Sequence, residues 1–305
     1  MNFDVIIVGA GLSGSYLAKK INELGLNALI IEKSKSIGGR FSTKPVGGGL
    51  ADYGCQYLKP KTKNLSNLIQ DLKSKNLIKK SNIFQDGEAF IAPYGMNKIP
   101  QYLSLGVNTL LNQKVSSIKK NSNHWEIRTN SFLLKSKILV LTMPINQVSE
   151  LLKVSDVPIA DLPTANYKSF YTITFQAMDN INSKTVRKND FAPWICNNSI
   201  KGLSTGQNTF TVNINEELSN TLLNMEDNKK HELIKWNLKE SGFKNFSFYN
   251  LHYWRYAFTE GQNNITNYYN EDNMLAICGD SFSIGQADGA VVSAQNTFEK
   301  IRSIF

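Results

Sequence analysis

Residues 5–14 read Val-Ile-Ile-Val-Gly-Ala-Gly-Leu-Ser-Gly, a short apolar run that ends in the pattern Gly-x-Gly-x-x-Gly. A helical pattern follows at once and ends at Gly25. A second apolar run, residues 28–32, ends in Glu32, eighteen residues after Gly14. A strand, a tight turn, a helix and a strand with an acid at this distance predict a dinucleotide-binding βαβ unit.

Each glycine of the turn has a physical role in that prediction. Gly9 permits the turn, Gly11 lets the backbone approach a pyrophosphate, and Gly14 lets the helix pack close to the strands. The helix start, with Leu12 and Ser13, is expected to present unpaired N–H groups and a partial positive charge to the phosphates.

The segment after this unit adds a second phosphate-binding feature. Glu32 is expected to accept hydrogen bonds from a ribose diol and to repel a 2′-phosphate. Lys33 follows it, and Gly39 and Arg40 stand where the second βα turn returns to the pyrophosphate; an always-charged planar donor there suits a diphosphate. Nicotinamide dehydrogenases usually lack this addition, whereas many flavoproteins have it. Here the sequence resembles the FAD-dependent amine-oxidase-like superfamily.

Composition and length indicate an ordinary globular chain. It has 305 residues, 41% hydrophobic and 19% charged, and no apolar run long enough to insert into a membrane. The first strand begins near Phe3, so no leader is predicted and a cytoplasmic location is expected. The net charge of +9 comes from scattered lysines, so nucleic acid is not a predicted partner.

The cysteines and histidines form no recognisable metal or disulfide pattern. Cys55, Cys196 and Cys278 lack Cys-x-x-Cys spacing, which argues against a zinc site or a disulfide framework, and no metal is predicted. His124 and His231 are expected to lie on the surface.

Residues 47–57 narrow the resemblance. Asp-x-Gly-x-Gln-Tyr, soon after Gly-Gly-Arg, looks like the renalase branch of the superfamily. The resemblance implies that backbone around Gly54, Cys55 and Gln56 touches the isoalloxazine ring, and that Gln56 and Tyr57 position the substrate. Cys55 is expected to be a small buried thiol rather than a flavin ligand, so the FAD is expected to be non-covalent.

The chain then alternates between two predicted layers. An amphipathic helix with Leu65, Leu68, Ile69 and Leu72 inward, and a hairpin near residues 83–91, look like the first piece of a cap. A helix containing Pro100 returns to the nucleotide domain, and strands are predicted at 114–119, 124–129 and 132–142. The resemblance implies that Val115 contacts adenine through its backbone and that Thr142 lies at the cofactor.

Residues 147–270 are predicted to form the main substrate domain, with strands at 169–177, 192–196 and 210–215 and a helix at 229–240. Residues 251–257, Leu-His-Tyr-Trp-Arg-Tyr-Ala, alternate so that His252, Trp254 and Tyr256 share one sheet face. The renalase-like pattern is His-Arg-Trp followed by Tyr-Ala, and it is matched except for Tyr253. The resemblance implies that His252 and Trp254 position the substrate; an aromatic core strand with a hydrogen-bonded histidine is the alternative.

The end of the chain resembles the second FAD signature of the superfamily. A buried strand at 274–278 leads to Gly279 and Asp280, and Asp288-Gly289-Ala290 is predicted to open the terminal helix. The resemblance implies that Asp280 accepts a hydrogen bond from the ribityl chain or ribose. N–H groups of Gly289 and Ala290 are expected to face N1 and O2 of the flavin, where they would stabilise the anion of the reduced ring.

These features together predict an α/β fold with an α+β cap. A Rossmann-type FAD-binding domain with a parallel sheet is expected from residues 1–57, 94–146 and 271–305. An interleaved substrate domain with an antiparallel sheet and helices is expected from residues 58–93 and 147–270.

The resemblance implies an FAD-dependent oxidoreductase that oxidises 2- or 6-dihydro isomers of NAD(P) by hydride transfer to flavin N5, with O2 as acceptor giving H2O2. No catalytic acid or base is compulsory, so none is named.

One alternative is an amine oxidase acting on a small amine, which Gln286 disfavours because many amine oxidases place a cage tyrosine there. Another is a flavin-binding protein without turnover. Because of Tyr253 and Gln286, the way in which an anionic dinucleotide would be anchored is left open. The sequence also leaves open the physiological donor, the acceptor and the oligomeric state.

Overall fold

A computed structural model of the chain describes residues 2–83, 88–159, 162–178, 188–204, 208–260 and 264–305. In these residues the strands are β1 Asn2–Val8, β2 Ala28–Ile31, β3 Thr43–Val46, β4 Gly49–Asp52, β5 Lys79–Ser81, β6 Ala89–Ile91, β7 Asn108–Leu110, β8 Val115–Lys120, β9 Trp125–Thr129, β10 Leu133–Leu141, β11 Asn166–Ala177, β12 Trp194–Asn197, β13 Asn208–Asn213, β14 Phe246–Glu260, β15 Tyr268–Asn270 and β16 Leu275–Ile277. The helices are α1 Leu12–Glu23, α2 Lys63–Ser74, α3 Lys98–Leu103, α4 Ile145–Val154, α5 Glu216–Leu223, α6 Asp227–Glu240 and α7 Gln286–Arg302, and a 3₁₀ helix covers Asn198–Lys201.

The larger sheet is parallel at its centre. Its main path runs β15, β16, β10, β1, β2 and β7, and all neighbours are parallel except β15, which runs antiparallel to β16. The hairpin of β8 and β9 joins the start of β10 through β9. The central strands are apolar on both faces because helices or a hairpin cover each face.

Alternate side chains of β1 reach two different cores, as the period of two in a strand requires. Val5 and Ile7 pack with apolar side chains of α1, α2, α3 and α7. Ile6 and Val8 pack with those of α4 and the β8–β9 hairpin.

Helix α2 lies in the first of these cores. Its four inward residues, Leu65, Leu68, Ile69 and Leu72, are buried with side chains of α1 and α7. This packing does not fit the expectation that α2 is part of a cap over the cofactor. The periodicity correctly marked an apolar face, but it carries no information about which layer that face meets.

The hairpin expected near residues 83–91 is partly described. Strand β6 lies within that range and pairs antiparallel with β5, which begins at Lys79, before the expected hairpin. Residues 84–87, which include the expected turn, lie outside the described residues.

The second sheet is antiparallel, in the order β12, β13, β11 and β14. One face packs on α5 and α6 through a cluster that includes Phe175, Phe210 and Phe243. The opposite face carries buried threonines and meets the β3–β4 hairpin, where the hydroxyls of Thr209 and Thr211 each donate to a β4 carbonyl at 2.8 Å.

The predicted fold class is confirmed: a Rossmann-like parallel sheet and a separate antiparallel sheet share one chain. The domain boundaries given above stay a prediction. Among the described residues, no helix combines the length and apolarity needed to cross a membrane. In the same part of the chain, no group of three or more His, Cys, Asp or Glu side chains is arranged to hold a metal ion.

Candidate functional site

The candidate site lies at the carboxyl ends of β2, β1, β10 and β16, four neighbouring parallel strands. The chain leaves the first three of these strands at Glu32, Gly9 and Thr142. Strand β16 is followed by the buried Cys278 and then by Gly279. Ligands of open parallel sheets bind outside the carboxyl ends of the strands, so this edge is the expected place for a dinucleotide.

The glycine turn after β1 is closed by protein on one side and open on the other. Gly9 has φ +111°, and a Cβ on Gly14 would lie 2.1 Å from the carbonyl oxygen of Gly9. Both positions therefore require glycine for reasons internal to the protein. A Cβ on Gly11 would meet no atom within 4 Å. Gly11 thus faces open space at the N-terminus of α1, where a phosphate group can approach the backbone.

Thr142 holds the turn from the neighbouring strand. Its hydroxyl donates to the carbonyl oxygens of Val8 at 3.0 Å and Gly9 at 3.1 Å. A Cβ on Gly9 would lie 2.7 Å from this hydroxyl oxygen. Thr142 was predicted to bind the cofactor, and the structure shows it supporting the glycine turn.

The second βα turn comes back to the first, as the sequence predicted. The N–H of Gly38 donates to the carbonyl oxygen of Ala10 at 2.9 Å, and a Cβ on Gly39 would lie 3.1 Å from the Cα of Gly11. Gly39 and Gly11 therefore form adjoining walls of one cradle.

Glu32 is held in place by backbone groups. Its Oε2 accepts from the N–H of Ala10 at 2.9 Å and its Oε1 accepts from the N–H of Ser34 at 2.8 Å. The side chain is buried, and each carboxylate oxygen keeps a second lone pair for a ribose hydroxyl. Lys33 is engaged elsewhere, because its ammonium donates to the Oε1 of Gln147 at 3.2 Å.

Arg40 and Asp280 connect the two ends of the chain at this edge. Nη1 of Arg40 donates to Oδ2 of Asp280 at 2.6 Å and Nη2 donates to Oδ1 at 2.5 Å, a bidentate pair. Burial disfavours the charge of Arg40, but the Asp280 carboxylate outweighs burial and raises the pKa of the guanidinium. The two residues predicted to bind the pyrophosphate and the ribityl chain therefore lie against each other.

A register shift between β11 and β14, in the antiparallel sheet, provides further hydrogen-bond acceptors for Arg40. The pairing of β11 with β14 shifts between Lys168 and Phe170, and the carbonyl oxygens of Tyr256 and Ala257 lie in the shifted segment of β14. Nη1 of Arg40 lies 3.3 Å and 3.4 Å from these oxygens. Such irregularities free backbone groups from the ladder, and here they bind the arginine to the second sheet.

Tyr53, His252 and Trp254 form a cluster of aromatic side chains, called the aromatic roof below. Trp254 stacks on Tyr53 with ring centroids 5.4 Å apart, and His252 lies edge-on to both rings, at 4.3 Å from Trp254 and 5.2 Å from Tyr53. The indole N–H of Trp254 donates to the carbonyl oxygen of Tyr53 at 2.9 Å. Burial, and after it the charge of Lys44, lower the pKa of His252, so the neutral imidazole is favoured.

Three comparisons with known proteins bear on this geometry. Residues 7–72 match the family model of the NAD(P)-binding Rossmann-like domain. A stretch of 70 residues is 33% identical to the flavin-containing amine oxidase A of Sus scrofa, and the match spans 23% of this chain and only 13% of that relative. A candidate protoporphyrinogen oxidase from Exiguobacterium sp. 255-15 superimposes with a TM-score of 0.77 at 11% identity, covering 99% of both chains. Cyclohexylamine oxidase from Brevibacterium oxydans IH-35A superimposes with a TM-score of 0.71 at 12% identity, covering 100% of this chain and 99% of the other.

The chain shares the fold of these two oxidases. The sequence matches cover only part of the chain and the likeness over its whole length is one of fold, so the predicted superfamily and its renalase branch stay predictions.

The cradle of this amine-oxidase-like fold suits a flavin dinucleotide on its own geometry. Gly11 faces open space beside the N-terminus of α1, Glu32 offers fixed carboxylate oxygens one strand away, and Arg40 with Asp280 lies across the edge. These groups would hold a pyrophosphate, a ribose and a polyol chain in that order.

The first turn of α7 corrects one prediction. The helix begins at Gln286, two residues before the predicted start, and the N–H of Gly289 donates to the carbonyl oxygen of Gly285 at 2.6 Å. The N–H groups of Gly289 and Ala290 are therefore inside the helix, and the unpaired ones belong to the first three residues, 286–288. The start was misplaced because the cap Gly285, with φ +75°, was not recognised in the sequence.

Asp288 is committed to another element. Its Oδ1 accepts from the N–H of Lys61 at 3.0 Å, the N–H of Thr62 at 2.8 Å and the hydroxyl of Thr62 at 2.8 Å. Thr62 is the N-cap of α2, so Asp288 links the start of α7 to the start of α2.

Gln56 and Tyr57 do not join the aromatic roof. The amide nitrogen of Gln56 donates to the carbonyl oxygens of Asp52 at 2.6 Å and Gly54 at 3.0 Å. Its amide oxygen accepts from the ammonium of Lys201 at 3.0 Å, so the side chain is buried and fully engaged. Tyr57 stacks on Trp194 at 5.6 Å. The expectation that Gln56 positions substrate does not fit this network.

The segment just before Gln56 is set by Arg40. A Cβ on Gly54 would lie 2.0 Å from the carbonyl oxygen of Arg40, and the N–H of Cys55 donates to that oxygen at 2.7 Å. Burial raises the pKa of the Cys55 thiol to about 12, which favours the neutral thiol. Its thiol donates to the carbonyl oxygen of Tyr57 at 3.1 Å.

Lys201 was missed by the sequence reasoning. Its ammonium lies 2.7 Å from Oδ2 of Asp52, and both side chains are fully buried. Oδ1 of Asp52 accepts from the N–H of Met96 at 2.9 Å and from the hydroxyl of Thr43 at 2.5 Å. Asp52 was visible in the Asp-x-Gly-x-Gln-Tyr motif, but nothing in the sequence links it to a lysine 149 residues later.

The remaining predicted residues lie around the cradle. Leu12 is buried at the start of α1, and the hydroxyl of Ser13 contacts the sulfur of Cys278 at 3.4 Å. Gly279, with φ +158°, directs the chain from β16 to Asp280. Val115 begins β8 and packs at the margin of the second core. The roles of all these residues in cofactor binding stay predictions.

Proposed function

We propose that this protein is an FAD-dependent oxidoreductase that oxidises 2- or 6-dihydro isomers of NAD(P) to NAD(P)⁺, with O2 reduced to H2O2. The comparisons support the coarser part, an FAD-dependent oxidoreductase of the amine-oxidase-like type. The observation that carries the finer part is the aromatic roof of Tyr53, His252 and Trp254, which suits a flat dihydropyridine ring better than an alkylamine.

The protein's own residues would bind and orient, since the bound flavin supplies the two-electron acceptor and its reaction with O2. The cradle with Gly11, Glu32, Arg40 and Asp280 would hold the cofactor by backbone N–H groups and charge-assisted hydrogen bonds. His252 lies edge-on to two aromatic rings, and burial lowers its pKa, so the neutral imidazole is favoured beside them.

Tyr253 stands where the renalase pattern has arginine. Its side chain lies on the opposite face of β14 from His252 and Trp254. Its ring packs against that of Tyr171 at 4.9 Å, at the edge of the core beneath α5 and α6. Adjacent residues of a strand point to opposite faces, so an arginine at this position would lie away from His252 and Trp254. The difference at residue 253 therefore does not alter the roof.

An amine substrate is the competing possibility, because cyclohexylamine oxidase shares the fold. Recognition of an amine is favoured by aromatic rings around the cation. Gln286, at the position where the family pattern has a cage tyrosine, is exposed at the start of α7 and supplies no ring. This arrangement favours the dihydropyridine donor.

Anaerobic stopped-flow reduction of the holoprotein tests the proposal. The 2- and 6-dihydro isomers of NAD(P) are expected to bleach the flavin much faster than 4-dihydro NADH or primary amines, and O2 is expected to restore the colour with release of H2O2. Trp254→Leu is expected to slow bleaching, whereas Trp236→Leu, which removes an exposed tryptophan of α6, leaves it unchanged. Faster bleaching by an amine would reassign the activity to amine oxidation.

The FAD is proposed to be non-covalent, because the raised pKa of the Cys55 thiol favours its neutral form and the thiol donates to a carbonyl oxygen. Acid precipitation is expected to leave the yellow cofactor in the supernatant, and chromatography is expected to identify it as FAD. Colour that stays in the pellet would contradict this expectation.

A further inference from the structure

Lys44 is a half-buried cation beside the aromatic roof. Its ammonium lies 3.9 Å from the centroid of the Tyr53 ring, the ring on which Trp254 stacks. Lys44 pairs across the β3–β4 hairpin with Ala51, which places its side chain on the same face as Tyr53, two residues further along the chain. The position is therefore set by the hairpin.

Within the described part of the chain, no carboxylate lies close enough to Lys44 to form an ion pair. Its charged neighbour is Lys35, a like charge, and burial followed by Lys35 lowers the pKa of Lys44. A half-buried cation that feels the repulsion of another cation is stabilised when an anion binds to it. Two further lysines are engaged within the protein: Lys33 with Gln147 and Lys201 with Asp52.

The aromatic rings and this cation lie together at one margin of the site. Tyr53, His252 and Trp254 are each only half-buried, so their rings keep surface for a ligand. A ligand that contacts both features carries a flat ring and an anionic group within one molecule.

We propose that Lys44 binds a phosphate group of the dinucleotide substrate, while the Tyr53–His252–Trp254 cluster contacts its nicotinamide ring. This inference rests on the proposed function and names the residues that select an anionic donor. Lys44 would act by attracting and placing the phosphates, with no part in the chemistry.

Binding of NAD⁺ to the holoprotein tests this inference without turnover. NAD⁺ and nicotinamide riboside, which lacks phosphate, are titrated and followed by the flavin absorbance. Lys44→Gln is expected to weaken NAD⁺ about tenfold and to leave nicotinamide riboside unchanged, because only NAD⁺ carries phosphates. Tyr53→Leu is expected to weaken both. The matched control is Lys235→Gln, which removes an exposed lysine of α6 and is expected to change neither.

The salt dependence of NAD⁺ binding and the FAD content of each variant provide two further tests. Raising the ionic strength is expected to weaken NAD⁺ more in the unmodified protein than in Lys44→Gln. Equal NAD⁺ affinity in Lys44→Gln and Lys235→Gln would overturn the inference, as would a failure of the unmodified protein to bind NAD⁺. Loss of FAD from Lys44→Gln would also overturn it, because the lysine would then belong to the cofactor. Binding of NAD⁺ without flavin reduction by any donor would reject the proposed function alone.

Discussion

The Arg40–Asp280 and Lys201–Asp52 ion pairs each join distant parts of the chain, and their surroundings differ. Arg40 and Asp280 meet at the open edge of the parallel sheet, where the arginine side chain keeps 28% of its exposure. Lys201 and Asp52 meet between the antiparallel sheet and the β3–β4 hairpin, where both side chains have 0% exposure.

The closed pair, Lys201 with Asp52, is satisfied by protein alone. Lys201 donates to Asp52 and Gln56, and Asp52 also accepts from Thr43 and the N–H of Met96. In the open pair, Arg40 with Asp280, the arginine side chain stays partly exposed. From this difference we propose that the closed pair serves stability and that the open pair serves binding, because only a partly exposed pair can exchange protein contacts for ligand contacts.

The sharpest test of the closed pair is Lys201→Met, which leaves the Asp52 carboxylate buried without its cation. The free energy of unfolding is expected to fall by about 3–5 kcal/mol, the usual cost of breaking a buried pair. Equilibrium urea unfolding of the apoprotein measures it. The double variant Lys201→Met/Asp52→Asn is expected to recover part of the loss.

Lys80 and Glu88 provide a matched control at the same distance. This pair also lies at 2.7 Å, but both side chains are 57% exposed. Lys80→Met is expected to leave the unfolding midpoint unchanged, since exposed pairs are screened by water. Similar losses in Lys80→Met and Lys201→Met would show that burial does not distinguish them.

The open pair is tested by FAD affinity. Arg40→Ala is expected to weaken FAD binding by about 1–3 kcal/mol, because it removes a charged donor and leaves Asp280 without its partner. Glu32→Ala is expected to fall in the same range. Equilibrium dialysis measures both, and wild-type affinity in both variants would show that the N-terminal cradle does not hold the cofactor.

A single methyl group tests the open space itself. Gly11→Ala is expected to weaken FAD about tenfold, a loss of about 1.4 kcal/mol, while the unfolding free energy of the apoprotein changes by less than about 0.5 kcal/mol. Gly14→Ala is the comparison, because its Cβ would lie 2.1 Å from a backbone oxygen and lowers stability as well. Unchanged FAD affinity in Gly11→Ala would place the phosphates elsewhere.

The smallest expected effect is a pH dependence at His252. Burial and the charge of Lys44 lower its pKa in the folded state, so the unfolded chain binds a proton more readily. Stability from this group is therefore present above the ordinary histidine pKa of about 6.5 and is lost as the pH falls below it. The melting temperature of His252→Gln is expected to drop less than that of the wild type between neutral and mildly acidic pH. Equal drops would exclude His252 as the cause.

The sequence predicted the elements whose signals are local. The first βαβ unit, the long strands β10 and β14 and the face of α2 all follow from the period of apolar residues within one segment. The short strands β3 and β7 and helices α4 and α5 were not identified. Strands of three or four residues carry too few side chains for a period to be recognised.

The sequence by itself determined the glycine turn of the first βαβ unit. The backbone geometry of that turn depends on residues that are close together in the chain. Tertiary structure alone decided which charges meet: Arg40 with Asp280, Lys201 with Asp52, and Asp288 with the start of α2. It also decided that Gln56 is enclosed and that Tyr253 faces away from the roof. Such pairings depend on how two sheets pack, and an ion pair between residues more than a hundred positions apart leaves no periodic trace in the chain.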